Sequence, residues 1–339
     1  MISRVLVVAP TSVVAVWPKE LEEYAAFAYT CETLLGTKPQ RLKALSNLQN
    51  YRYQKLKVAV INYESTWRDD IFEALQAYDA DLIICDESQR IKAHDSNQSK
   101  AMHKLGDAAR YKMILSGTPL QNDVTDLWSQ YRFLDKTVFG DKFSPFKYHF
   151  CRMGGFENKK VVGIQHEKEL IQKEYSVAFR VTKEEALDLP EQTFETRYVQ
   201  LSAKERALYD QIRLDSYAKL DGGGEITAST VLIKILRLQQ LCGGFLAVDE
   251  SEMDRTQPVG TSKLDALSDI IEDYVLEGGK KLVVFARFVA EVKAIVALSD
   301  KLLKRKKKKS VCIYGAIDNR IRGDLVKQFQ TDPDTMLFI

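Results

Sequence analysis

"DLIICDESQRIKAHDS", residues 81–96, drives four apolar residues, Leu82 to Cys85, straight into two adjacent carboxylates, Asp86 and Glu87. The apolar run does not alternate, so it reads as a short strand buried on both faces, as in a parallel sheet flanked by helices. The carboxylates then stand at its C-terminal end, where open α/β sheets bind their ligands. Left uncompensated there, they are costly unless they meet a cation or a proton. The stretch asks for a metal, a base, or both. Taken alone, an Asp-Glu pair behind a strand also fits a helix cap and first-turn anion stabilised by the helix dipole.

The same rhythm runs outward from this strand. Val5 to Ala9, Lys57 to Ile61 and Lys112 to Leu115 are further apolar strands, and a helical pattern passes through Trp17 and Leu21. Past Pro119 the chain becomes aromatic with helical spacing and a turn at Gly140; Trp128, Tyr131 and Phe133 there read as core rather than base-stacking residues. A connector follows, then a helix starting at Ser202 with Glu205 placed for a capping box. Gly222 to Gly224 mark a loop, and Thr230 to Leu241 is helical again. From Ser262 the alternation returns: helix Leu264 to Glu277, strand Lys281 to Ala286, helix Val289 to Leu303, strand Ser310 to Tyr314, helix Asn319 to Gln330 and a last strand. The expected fold class is α/β, with two parallel-sheet lobes joined by helical and linker material. The first lobe is 1–175, with a helical protrusion over 120–175; linker and second protrusion fill 176–261; the second lobe starts at 262 and runs to 339.

Lys and Arg number 49 against 47 Asp and Glu in 339 residues, so the net charge of +2 neither demands nor excludes a nucleic-acid partner. The five cysteines are scattered without a CxxC pair and read as reduced thiols of a cytosolic compartment; four scattered histidines offer no zinc spacing. No apolar run approaches the roughly 20 residues needed to span a bilayer. Both ends lie inside apolar runs, "ISRVLVVAP" and "TMLFI", which reads as an internal piece of a longer protein.

Two more strand ends carry polar residues suited to phosphate. "ILSGTPLQN" presents Ser116, Gly117 and Thr118, hydroxyls around a glycine that lets backbone approach a ligand. "VVAPTSVV" sets Thr11 and Ser12 before a helix, where hydroxyls and free N–H groups can hold a phosphate. A helix cap or turn explains either one by itself.

In this order the segments resemble superfamily-two helicases, specifically the Swi/Snf-type DNA translocases, and are more similar to bacterial and phage members than to eukaryotic chromatin remodellers. "VLVVAPTSVVAVWPKE" resembles their motif Ia, "VAVINYES" motif Ib, "LIICDESQRIK" motif II and "MILSGTPLQNDVTDLWSQYRFLD" motif III. The likeness continues through "RVTKEEALDLP", "LRLQQLCGGFL", "SKLDAL", "KLVVFARF" (motif IV) and "IYGAIDNRIRGDLVKQFQ", covering essentially the whole chain. It implies two RecA-like lobes, both incomplete, and a DNA-dependent ATPase that moves along double-stranded DNA in a bacterial or phage-infected cell. Asp86 would hold the Mg²⁺ of Mg-ATP, commonly through water, and Glu87 would polarise the attacking water. Gln89, Ser116, Gly117 and Thr118 would couple nucleotide state to lobe movement, and Pro10, Thr11, Ser12, Arg90 and Lys92 would meet nucleic acid. For Arg90 and Lys92 a solvated role weighs equally, and for the basic run Lys304 to Lys309 a solvated helix end weighs more. Arg287 and Phe288 stand where many relatives carry a Ser-Gln pair before the aromatic, and no contact is assigned to Arg287.

No GxxxxGK[ST] phosphate loop occurs, nor the motif V and VI region that carries the family's arginine fingers. The chain is therefore expected to be inactive alone. A naturally truncated, non-catalytic nucleic-acid-binding module is the alternative. A nuclease using Asp86 and Glu87 lacks a further acidic cluster for a two-metal centre.

Overall fold

The computed structural model describes residues 2–51, 56–158, 160–221, 228–247 and 256–339, so the loop expected at Gly222 to Gly224 lies outside the described residues. The chain forms two compact units, Met1–Leu189 and Pro190–Ile339.

The first unit is built on a five-stranded sheet in the order β2-β3-β1-β4-β5. Its strands are β1 (Arg4–Ala9), β2 (Tyr29–Thr33), β3 (Leu56–Asn62), β4 (Leu82–Asp86) and β5 (Tyr111–Leu115). All neighbours pair in parallel. The intervening helices are α1 (Trp17–Tyr24), α2 (Lys38–Asn50), α3 (Asp69–Tyr78) and α4 (Asn97–Ala108). Side chains alternate across a strand, so each sheet face draws on every second residue. Leu6, Val8, Ala59, Ile61, Ile83 and Cys85 enter one core with Leu45, Leu75 and Met102, while Val5, Val7, Ala9, Val58 and Val60 enter another with Val14.

The expectation that Leu82 to Cys85 is buried on both faces holds for one face. Ile83 and Cys85 are 2% and 0% exposed, whereas Leu82 and Ile84 are only half-buried. They pair with Tyr111 and Met113 of β5, an edge strand whose second face is exposed together with Leu115.

The excursion after Pro119 contains α5 (Thr125–Leu134), α6 (Lys136–Phe139), α7 (Phe143–Phe150) and α8 (Glu167–Tyr175). It is not wholly helical: β6 (Cys151–Gly154) and β7 (Lys160–Ile164) form an antiparallel hairpin between α7 and α8. Trp128, Tyr131, Phe139, Phe146 and Phe150 pack together as its core, with edge-on ring contacts such as Tyr131–Phe139 at 5.0 Å. Phe133 instead enters the sheet core. After the short α9 (Lys183–Ala186), residues 187–202 have no regular structure.

In the second unit, α10 (Ala203–Asp221) opens with the expected capping box. The Ser202 N–H donates to Glu205 Oε2 at 2.8 Å, and the Glu205 N–H donates to Ser202 Oγ at 3.3 Å. Then come α11 (Ala228–Cys242) and the antiparallel pair β8 (Phe245–Ala247) and β9 (Thr256–Pro258). A three-stranded parallel sheet follows, order β10-β12-β11: β10 (Leu282–Val283), β11 (Lys309–Val311) and β12 (Thr335–Phe338). Helices α12 (Ser262–Ile270), α13 (Val289–Leu303) and α14 (Asn319–Thr331) accompany it. The strands expected at 281–286 and 310–314 are thus shorter. The helix expected to reach Glu277 changes to π-type turns at Ile271, marked by a Gly278 N–H to Asp273 carbonyl bond.

Candidate functional site

Asp86 is the last residue of β4, and Glu87 turns the chain out of the sheet in a left-handed conformation, φ +51° and ψ 54°. A non-glycine residue held there costs about 1–2 kcal/mol, and such strain persists only where surroundings fix it. Here Ser88, fully buried, donates to Gln130 Oε1 at 2.7 Å, and Gln130 in turn donates to the carbonyls of Pro119 and Asp126. The turn is thereby held against α5.

The carboxylates have different neighbours. Asp86 Oδ2 accepts from the Trp17 indole N–H at 3.0 Å, and the Asp86 carbonyl accepts from the Tyr63 hydroxyl at 2.8 Å. Tyr63 is buried, which raises its phenol pKa far above the usual range and keeps it a donor. Glu87 Oε2 accepts from Gln89 Nε2 at 2.6 Å. Gln89 Oε1 accepts from Ser116 Oγ at 2.8 Å, and Ser116 Oγ accepts from the Thr118 N–H at 3.1 Å. One oxygen of each carboxylate, Asp86 Oδ1 and Glu87 Oε1, meets no protein donor among the described residues. Both side chains are part-exposed. The open oxygen of Asp86 is of the hard, anionic type that a divalent cation such as Mg²⁺ takes.

A second polar group gathers at the ends of β1 and β3. Glu64 Oε2 accepts from Asn62 Nδ2 at 2.8 Å and from Thr11 Oγ1 at 3.3 Å, and Arg90 stands 3.8 Å from Glu64 Oε1. Burial pushes the Glu64 carboxyl pKa up, but the Asn62, backbone and Thr11 hydrogen bonds with the Arg90 charge outweigh it and hold it below its ordinary value. Arg41 donates to Asn62 Oδ1 at 2.6 Å and to Ser65 Oγ at 2.7 Å, bracing this end of β3.

The structure thus brings Asp86, Glu87, Gln89, Ser116 and Thr118 into one connected group, and Thr11 and Arg90 into another around Glu64. Pro10 is buried, its carbonyl accepting from the N–H groups of Val13 and Val14, while Ser12 is exposed. The helix expected through Trp17 and Leu21 is α1, and it begins at Trp17, where Pro18 presets its first turn, after residues 11–16 have formed turns. Those two residues therefore do not stand on a helix N-terminus. Lys92 donates to Gln121 Oε1 at 2.8 Å and lies 3.5 Å from Asp126, clasping the loop ahead of α5. Trp17, Tyr63 and Glu64 were not singled out by sequence: they fall inside quoted segments, but the partners that give them significance lie at other strand ends.

The family described as the SNF2-related domain matches residues 1–244. The chain belongs to that family. All the groups above fall within the matched SNF2-related region. YwqA of Bacillus subtilis (strain 168), which carries a helicase/translocase name, is 26% identical over 329 residues, 96% of this chain and 34% of its own length. The DNA repair and recombination protein RAD54 of Oryza sativa subsp. japonica is 28% identical over 252 residues, 71% of this chain and 25% of its own. This SNF2-related chain therefore spans about a third or a quarter of those curated relatives. The SWI2/SNF2 ATPase core of Sulfolobus solfataricus in complex with dsDNA is 23% identical, covered over 99% of this chain and 67% of that one, at a TM-score of 0.45. No helix among the described residues is long and apolar enough to cross a membrane.

Proposed function

We propose that this chain supplies the metal-carboxylate face of an ATP-driven motor that moves along double-stranded DNA. The observation that carries the reading is the hydrogen-bonded line from Glu87 through Gln89 to Ser116, across the C-terminal ends of the paired strands β4 and β5. Phosphoryl transfer asks little covalent chemistry of a protein and depends on positioning and charge. Asp86 would hold Mg²⁺, which when bound with the nucleotide neutralises charge on the transferred phosphoryl group. Glu87 orients the attacking water through its open oxygen, its other oxygen being anchored by Gln89. Because Gln89 also holds Ser116, and Ser116 the Thr118 backbone, movement of the Glu87 carboxylate is felt in the Ser116–Thr118 loop. That link is the proposed route from nucleotide state to motion. Thr11, Ser12 and Arg90 are the proposed phosphate-backbone contacts, with Pro10 shaping their turn; Lys92 ranks behind them because its side chain is less exposed and is engaged by Asp126 and Gln121.

The 339 residues hold the two carboxylates but no GxxxxGK[ST] loop. Without a cradle for the γ-phosphate, positioning is lost, so phosphate release by the 339 residues with saturating duplex DNA should stay at background. A chimera joined to a relative's phosphate loop and arginine-bearing segment should hydrolyse ATP when DNA is added. In that chimera Glu87→Gln should cut turnover by about a hundredfold or more while ATP and DNA still bind, since the change removes charge but keeps size. Turnover near the parent rate in Glu87→Gln would refute the role given to Glu87, and robust release by the short chain would refute the need for a cradle.

A further inference from the structure

The β6–β7 hairpin pairs Cys151 with Ile164, and the Gln165 N–H donates to the Phe150 carbonyl at 2.8 Å. Carried one step further, that antiparallel register sets His149, in the last turn of α7, opposite His166, which caps α8. Their rings lie face to face, with centroids 4.4 Å apart and planes 9° from parallel. Glu169 follows in the first turn of α8, its Oε2 2.9 Å from His149 Nε2. One ligand atom from each of the three residues lies within 4.8 Å of the others.

We propose that His149, His166 and Glu169 form a site for a divalent transition metal of the zinc type, with water completing the shell. Two imidazole nitrogens, borderline donors, and one hard carboxylate oxygen suit Zn²⁺, itself a borderline ion, and three protein ligands with an open position are a usual zinc set. Ligand atoms about 2.1 Å from a tetrahedral ion lie roughly 3.4 Å from one another. Closing from 4.8 Å to that spacing takes rotations of exposed side chains, with the backbone already fixed by the hairpin. His166 is held at φ +49°, a left-handed conformation uncommon for a residue with a side chain. An ion pair between His149 and Glu169 uses only two of the three groups; a cation uses all three. All are exposed, so the ion enters directly from solvent. Bound there, it ties the end of α7 to the start of α8. The sequence alone offered four scattered histidines, because residues 149 and 166 meet only through hairpin register.

The test is calorimetric titration of the full 339-residue chain with Zn²⁺ in a non-chelating buffer, alongside Co²⁺ absorption. The expected result is one Zn²⁺ per chain and a Co²⁺ band of four- or five-coordinate type without thiolate charge transfer. His166→Ala and Glu169→Gln should each weaken binding at least tenfold, and His149→Ala with His166→Ala should abolish it, with the far-ultraviolet dichroism unchanged. Zn²⁺ should raise the melting temperature of the parent and not of the double variant. Absence of saturable binding, thiolate absorption, or affinity untouched in the folded double variant would overturn the assignment.

Discussion

Glu87 combines two demands in one residue: a side chain for the site and a backbone at φ +51° that glycine would adopt more easily. Separating them gives a residue-scale prediction. Glu87→Gly should leave stability unchanged or raise it by up to about 1 kcal/mol, whereas β-branched Glu87→Val should lower it by more than about 1 kcal/mol. Urea unfolding of the two variants checks this, and equal stability would show that the left-handed turn is not maintained in solution. The carboxylate pair was legible in sequence because it interrupts an apolar run. Its neighbours were less so. Trp17 and Tyr63 lie 69 and 23 residues from Asp86, and only the parallel pairing of β1, β3 and β4 brings them there.

At the scale of elements, packing overrides propensity at Gly106. Glycine inside a helix is about 1 kcal/mol worse than alanine, so Gly106→Ala in α4 would ordinarily stabilise. Here a Cβ would lie 2.7 Å from a ring carbon of Phe133 on α5, and the Phe133 carbonyl is 3.3 Å away. Gly106→Ala should therefore destabilise the chain by about 1–3 kcal/mol through overpacking; a rise in the thermal midpoint would contradict this α4–α5 approach. The apolar strands β1, β3 and β4 were readable because they sit inside the sheet. β2, "YTCET", was not: an edge strand with half-buried residues carries no apolar run. The β6–β7 hairpin escaped because Gly154, Gly155 and Gly163 break the alternation of its short strands. The π-type turns at Ile271 leave the helical spacing of their sequence intact and so could not be foreseen from it.

For the whole molecule, the contrast between buried sheet and exposed connector predicts how protection is distributed. Residues 188–200 are exposed, and none of their N–H groups donates to a backbone carbonyl among the described residues. Their amides should exchange with deuterium at nearly the rate of an unstructured peptide, while those of β1 and β3 exchange slowest, since buried paired strands open only with the unit as a whole. Slow exchange across 188–200 would contradict the extended connector. The side-chain amide of Gln89 introduces discreteness into a molecule otherwise held by graded forces. Its nitrogen end serves Glu87 and its oxygen end serves Ser116. Rotated by half a turn it would aim an oxygen at a carboxylate, so intermediate angles satisfy neither partner. The link between β4 and β5 thus has two settings, made or broken, and under the proposed function it would pass between the strand ends the equivalent of a single binary digit.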